Sequence, residues 1–178
     1  MDLKNRILWE DKLVFYSLVI LMYLGAVYIY SLTYPISLPS KLIGHKTISV
    51  FDIWSLQHFL SGIILGRIIC YLAWDSSGSP QTVRVYLAFL FCIFWWEFAE
   101  TGMEVGKFSK NVIIWKDGLE SFTNRFIGDP MMMILGLYIY RRYRKYFWRA
   151  LAVATFWLVL NLFMPNCMFI QEYITTLF

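Results

Sequence analysis

Long apolar runs separated by short polar breaks dominate the chain. Leu13–Tyr34 carries no charge and ends at Pro35. A second run follows Asp52, a third reaches from Thr82 to Glu104, a fourth closes at Arg141, and a fifth stops before Pro165. About 20 apolar residues in a helix cross the hydrocarbon core of a bilayer. The pattern therefore predicts five transmembrane helices, at approximately 13–34, 53–74, 82–104, 119–140 and 147–164. Met131–Tyr140 alone amounts to roughly two or three turns. The fourth span must therefore recruit residues before Asp129, which draws Glu120, Asn124 and Arg125 toward the membrane.

The breaks have local signatures. Gly128-Asp129-Pro130 reads as a helix start, with Asp129 as N-cap and Pro130 in the first helical position. Asp52 reads as the N-cap of the second span. Pro35–Asp52 is expected to be a loop or short surface helix, Asp75–Pro80 a turn, and 105–128 a surface segment able to re-enter the membrane. Gly62-x-x-x-Gly66, with Ser61 beside it, is a small-residue stripe against which another helix can pack closely.

Composition agrees with the pattern. Of 178 residues, 59% are hydrophobic, 20% aromatic and only 16% charged, against roughly a quarter charged in soluble domains. The expected fold class is all-α: a polytopic membrane helical bundle forming one integral membrane domain over 1–178. The net charge of +4 comes without basic-aromatic interleaving outside the apolar runs, so no nucleic-acid partner is expected. Cys70, Cys92 and Cys167 stand singly in apolar surroundings and read as free thiols, not as a disulfide framework or a cysteine metal site. Arg141, Arg142, Arg144, Lys145 and Arg149 form the densest basic cluster in a short loop, which places that loop in the cytoplasm by the positive-inside rule. Counting spans back puts the N-terminus, with Lys4, Arg6 and Lys12, inside as well. The expected location is a bacterial or archaeal plasma membrane.

On this topology His58, Glu97, Glu100 and Asp129 share one depth below the outer surface. Ionisable groups at such depth cost free energy unless a partner, a proton, a metal or water meets them. Glu97, Glu100 and Glu104 follow the i, i+3, i+7 spacing of one helical face. A histidine with two or three carboxylates can hold a divalent metal, with His58, Glu97 and Glu100 as its ligands. The same groups can instead run acid-base catalysis, with His58, Glu97, Glu100 and Asp129 as catalytic residues. Arg125 could grip a phosphate or carboxylate by its fork, with Asn124 and Asp52 beside it as substrate-binding residues. Plainer roles stand next to these. Glu97 and Glu100 could pair with Arg84, Arg67 or Arg125 as interhelical glue, Glu120 and Asn124 could bond each other at i, i+4, and Glu104 is expected to be solvated near the interface.

Asp52-x-Trp54…His58…Gly62, Trp96-Glu97-x-x-Glu100 and Asn124-Arg125-x-x-Gly128-Asp129 resemble motifs of small uncharacterised bacterial multi-pass membrane proteins and, more distantly, of the VanZ-like family. The resemblance covers roughly positions 50–136. It implies an envelope membrane protein, groups Asp52, His58, Glu97, Glu100, Arg125 and Asp129 as a set, and supplies no reaction. The leading functional expectation is a hydrolase or transferase acting on a lipid or lipid-linked envelope substrate. The alternative is a non-catalytic binding module or a proton- or ion-handling protein built on the same acids.

Overall fold

The second apolar run and the fourth are drawn together by glycine. In this computed structural model, which describes residues 3–34, 36–72, 82–105 and 119–163, α2 (Ile53–Leu72) packs most closely on α4 (Asp129–Arg142). A Cβ built on Gly62 would fall 2.2 Å from the Met133 carbonyl oxygen, and one on Gly136 would fall 2.2 Å from that of Phe59. Gly66 meets Leu137 and Tyr140 one turn further on. The two helices therefore run parallel with their backbones in contact, and the expected small-residue stripe has α4 as its partner.

The other helices are α1 (Leu3–Thr33), α3 (Thr82–Glu104) and α5 (Tyr146–Phe163). The protein is mostly helical, and the all-α expectation holds in that form. The helix of the first run starts at Leu3, so the polar leader and the apolar run are one element. One core joins α2, α3, α4 and α5 through Ile63, Phe89, Ile93, Met133, Leu137 and Phe147. A smaller one joins α1 to α3 and to the turn leading into α4 through Ala26, Tyr30, Phe94 and Phe126. The Tyr30 ring meets Phe126 edge-on, with centroids 5.2 Å apart.

Two expectations change here. Pro35–Asp52 is neither a plain loop nor a surface helix. It contains strands β1 (Lys41–Ile43) and β2 (Ser49–Phe51), paired in parallel with Lys41 opposite Ser49. The helix leading into α4 does not begin at Asp129. Helical structure starts at Phe122, where Ser121 Oγ accepts from the Asn124 backbone N–H at 3.2 Å as an N-cap. It then widens into a π-turn over Asn124–Gly128, with the Asp129 N–H bonded to the Asn124 carbonyl, before Pro130. Proline lacks an N–H and crowds the carbonyl one turn back, and the wider turn relieves both. Gly128 lets this turn lie against β2, since a Cβ there would sit 2.0 Å from the Val50 carbonyl oxygen. The part of 105–128 that the structure describes from Leu119 on is thus largely interior, with Glu120, Ser121, Asn124 and Arg125 buried.

Among the described residues, Ile53–Tyr71 is the one helical stretch long and apolar enough to cross a membrane; Ile20–Leu32 and Tyr146–Leu160 are apolar but shorter. Cys70 and Cys92 are free thiols, the first buried. The turn expected at Asp75–Pro80, the stretch 106–118, and the tail with Cys167 lie outside the described residues, as does the Arg84 side chain.

The α2–α4 contact makes a clear mutational contrast. Gly62→Ala drives a methyl into backbone and should cost about 1–3 kcal/mol. Gly25→Ala in α1 meets nothing within 4 Å and should be neutral or stabilising by about 0.5–1 kcal/mol through helix propensity. Thermal unfolding of the two variants in detergent, followed by circular dichroism, checks the opposite signs.

Candidate functional site

The site begins with the cap of α2. The Ser55 N–H donates to Asp52 Oδ1 at 2.9 Å and Ser55 Oγ accepts from the Asp52 N–H at 3.1 Å, a reciprocal box that closes the first turn. Asp52 is therefore the N-cap its position implied. The Ser55 hydroxyl then donates to Asp129 Oδ1 at 2.7 Å, tying the start of α2 to the start of α4. One turn on from Ser55, His58 presents Nε2 at 3.3 Å from Asp129 Oδ2. From α3, Glu97 brings Oε1 to 3.8 Å from His58 Nδ1, and Glu100 brings Oε2 to 3.8 Å from His58 Nε2. The i, i+3 spacing on α3 places both carboxylates over one imidazole.

Behind this lies a set of ion pairs. Arg125 is fully buried, and its fork pairs with Glu104, lies 3.3 Å from Glu120 Oε2 and 3.7 Å from Glu97 Oε2, and donates to the Glu97 carbonyl at 3.0 Å. Lys46, from the turn between β1 and β2, pairs with Glu104 at 2.8 Å. Asn124 donates to Glu120 at 2.9 Å, the expected i, i+4 bond. The β1–β2 segment is fastened over this end: Ser121 donates its N–H to the Lys46 carbonyl at 2.8 Å and its hydroxyl to that of Ser49 at 2.6 Å.

Charge does not balance inside this cluster. Asp52, Glu97, Glu100, Glu104, Glu120 and Asp129 bury their carboxyl groups, while among the described residues Lys46 and Arg125 are the permanent cations buried with them. With neutral imidazole and ionised acids, six carboxylates face two cations, an excess of four negative charges. Burial on that scale must be met by protons or by a cation. Two groups have metal-ligand geometry, their ligating atoms within 4.8 Å of one another: His58, Glu97 and Glu100, and Glu97, Glu120 and Asp129.

A cavity of about 420 Å³ opens onto the first group. His58, Glu100, Gln57 and Ser61 form the polar part of its wall, and the rest is Trp54, Ile64, Leu65, Phe91, Cys92, Trp95, Trp96, Met133 and Leu158. Its shape and lining suit an apolar chain with a polar head at the His58 end.

All four residues expected to be catalytic come together here, from three different helices. The roles expected for the others change. Arg125, Asn124 and Asp52 do not line this cavity; Arg125 turns its fork to internal carboxylates, while Asn124 and Asp52 reach Ser55. Asp129 is not an N-cap, because the helix already runs through it. Glu104, expected in solvent, is buried between Lys46 and Arg125. Arg67 is no partner of Glu97 or Glu100: its guanidinium stacks over Phe147 at 4.3 Å and near Trp148 at 5.3 Å. Ser55 was missed although the Asp-x-x-Ser spacing of a cap announces it. Lys46 had no such signal, since its partner Glu104 is 58 residues away. Comparison with known protein families, curated proteins and solved structures finds no match.

Asp52 provides a pH test. Burial first, and the Asp129 charge second, push its carboxyl up from 3.8 to about 6. A carboxyl whose folded pKa exceeds its unfolded one stabilises the fold fully below the unfolded value, and that contribution is lost as pH rises through the folded value. In metal-free protein the wild type should lose on the order of 2 kcal/mol more stability between pH 4 and 7 than Asp52→Asn. Unfolding midpoints of both proteins across that range measure the difference; parallel curves would contradict it.

Proposed function

We propose that this chain is a polytopic membrane protein with five spans whose buried site hydrolyses or transfers a group on a lipid or lipid-linked envelope substrate, assisted by a divalent cation. Polarity runs from a charged interior to an apolar exterior. Leu21, Tyr28 and Leu32 of α1, Trp95 of α3 and Trp148, Phe156 and Phe163 of α5 are exposed, while acids, His58 and Arg125 are buried. Such an exterior suits lipid contact and not water. The shorter apolar stretches of α1 and α5 become spans when their flanking polar residues extend into the interfacial layers.

Orientation follows from α4. Asp129 and the Arg141–Arg142 pair mark its opposite ends, about 20 Å apart at helical rise. With the basic end in the cytoplasm, the site faces outward.

The observation that carries the catalytic reading is the meeting of an apolar cavity with His58 and Glu100. A lipid chain lying among Trp54, Phe91, Trp95 and Leu158 brings its polar head to an imidazole held between carboxylates. Asp129, fixed by Ser55, and Glu97 orient the ring, and either the metal-free ring or, with a cation on it, the Glu100 carboxylate beside it exchanges a proton with water or with the leaving group. A cation on His58, Glu97 and Glu100 would polarise the bond under attack and lower the pKa of a bound water.

Detergent-purified protein incubated with Mn²⁺ and a panel of lipid esters and lipid phosphates should release a head group, measured by mass spectrometry. His58→Ala and Glu100→Gln should each cut turnover at least about 10²-fold while eluting as folded protein. Tight lipid binding with no product would assign the cavity to a binding module, and full turnover in both variants would remove the site from the chemistry.

A further inference from the structure

Glu97 belongs to both groups with metal-ligand geometry, and its two oxygens face different neighbours. Oε1 turns to His58 Nδ1 at 3.8 Å, Oε2 to the Arg125 and Glu120 side at 3.7 Å from the guanidinium. The side chain is about 1% exposed, and neither oxygen accepts a hydrogen bond; Glu120 Oε2 and Asp129 Oδ2 are in the same state at equal burial. Native proteins rarely leave buried carboxylate oxygens so, and a bound ion is one of the reasons they do. We infer that Glu97, Glu120 and Asp129 form a second divalent-cation site, joined through Glu97 to the one at His58, Glu97 and Glu100, and that the pair of cations binds the phosphate of a lipid phosphate or diphosphate ester. The inference rests on the reading of the His58 group as a cation site and narrows its substrate class.

Charge supports two ions over one. With every acid ionised, the described part of the buried cluster would carry four negative charges beyond Lys46 and Arg125; one divalent cation would halve that excess and two would cancel it. The donors of the second group are all carboxylate oxygens, which suit Mg²⁺ or Mn²⁺. Arg125 does not fill the position. Its hydrogen bonds go to Glu104 and the Glu97 carbonyl, and its approaches to Glu97 Oε2 and Glu120 Oε2 are ion-pair distances without a hydrogen bond.

Two cations about 3.5–4 Å apart clamp both the attacking and the leaving oxygen of an in-line displacement at phosphorus. In hydrolysis, a water oxygen bonds to phosphorus as the ester P–O bond breaks. One water proton passes to a carboxylate oxygen of Glu100, which lines the cavity, and then to the departing lipid alkoxide, which leaves as the alcohol. The apolar cavity at Glu100 and His58 would receive the tail of that lipid.

Mn²⁺ alone is the probe. Equilibrium dialysis of the detergent-purified full chain should give two Mn²⁺ per chain with an exchange-coupled electron paramagnetic resonance spectrum, altered by inorganic phosphate. Glu120→Gln and, independently, Asp129→Asn should leave one Mn²⁺ and an uncoupled six-line spectrum, with helicity and elution unchanged; Glu97→Gln should lose both ions. One Mn²⁺ in the wild type, undisturbed by Glu120→Gln but lost in His58→Ala, overturns the second site and leaves the first standing. No bound Mn²⁺ overturns the cation reading itself and the inference with it. Two coupled ions indifferent to phosphate overturn the substrate class.

Discussion

Excess buried negative charge is the constraint around which this structure is arranged. Carboxylates from four segments converge on a small volume, and Lys46 and Arg125 neutralise only part of them. An interior of low polarity makes such a deficit expensive and makes any compensating proton or cation bind strongly. The ion-paired half, where Arg125 meets Glu104 and Glu120, behaves as an internal strut. In the half around His58, Glu97 and Asp129 keep oxygens without hydrogen-bond donors, and His58 and Glu100 adjoin the apolar cavity.

The fold is built to hold that cluster at one end. Glycine contacts let α2 and α4 run parallel at backbone distance, so Ser55 and Asp129 at their starts can share a hydrogen bond. The π-turn before Pro130 shifts the phase of the helix, and Asn124, Arg125 and Asp129 are all buried. The β1–β2 segment adds Lys46 and covers the ion pairs through Ser121. Each device uses backbone geometry to make up for a costly concentration of charge.

A pairing of acids with one imidazole beside an apolar cavity is an unusual combination for a purely structural core. Glue alone would be served by Arg125, Lys46 and their partners. His58 and Glu100 are instead placed where the cluster meets free volume, which is the position a reacting group requires. The aromatic rim of Trp54, Trp95 and Trp96 is equally suited to the boundary between lipid chain and head group.

Much of this was legible in the chain. Helix positions follow from apolar run length, with α3 falling at the expected bounds; the Gly62–Gly66 stripe foretold a close helix contact; and carboxylates at helical spacing foretold a shared face. These are local regularities, set by the 3.6-residue period and by the cost of burying charge. Tertiary structure decided the rest. Nothing within the neighbourhood of Glu104 tells that Lys46 and Arg125 will enclose it, or that Arg125 will turn its fork to internal acids, because those partners come from segments distant in sequence. Where the helix before Asp129 begins was likewise settled by Ser121 and by packing against Val50, since a proline marks a break only when no wider turn carries the chain past it. Periodicity names the residues that face inward; which of them meet depends on how the helices approach one another.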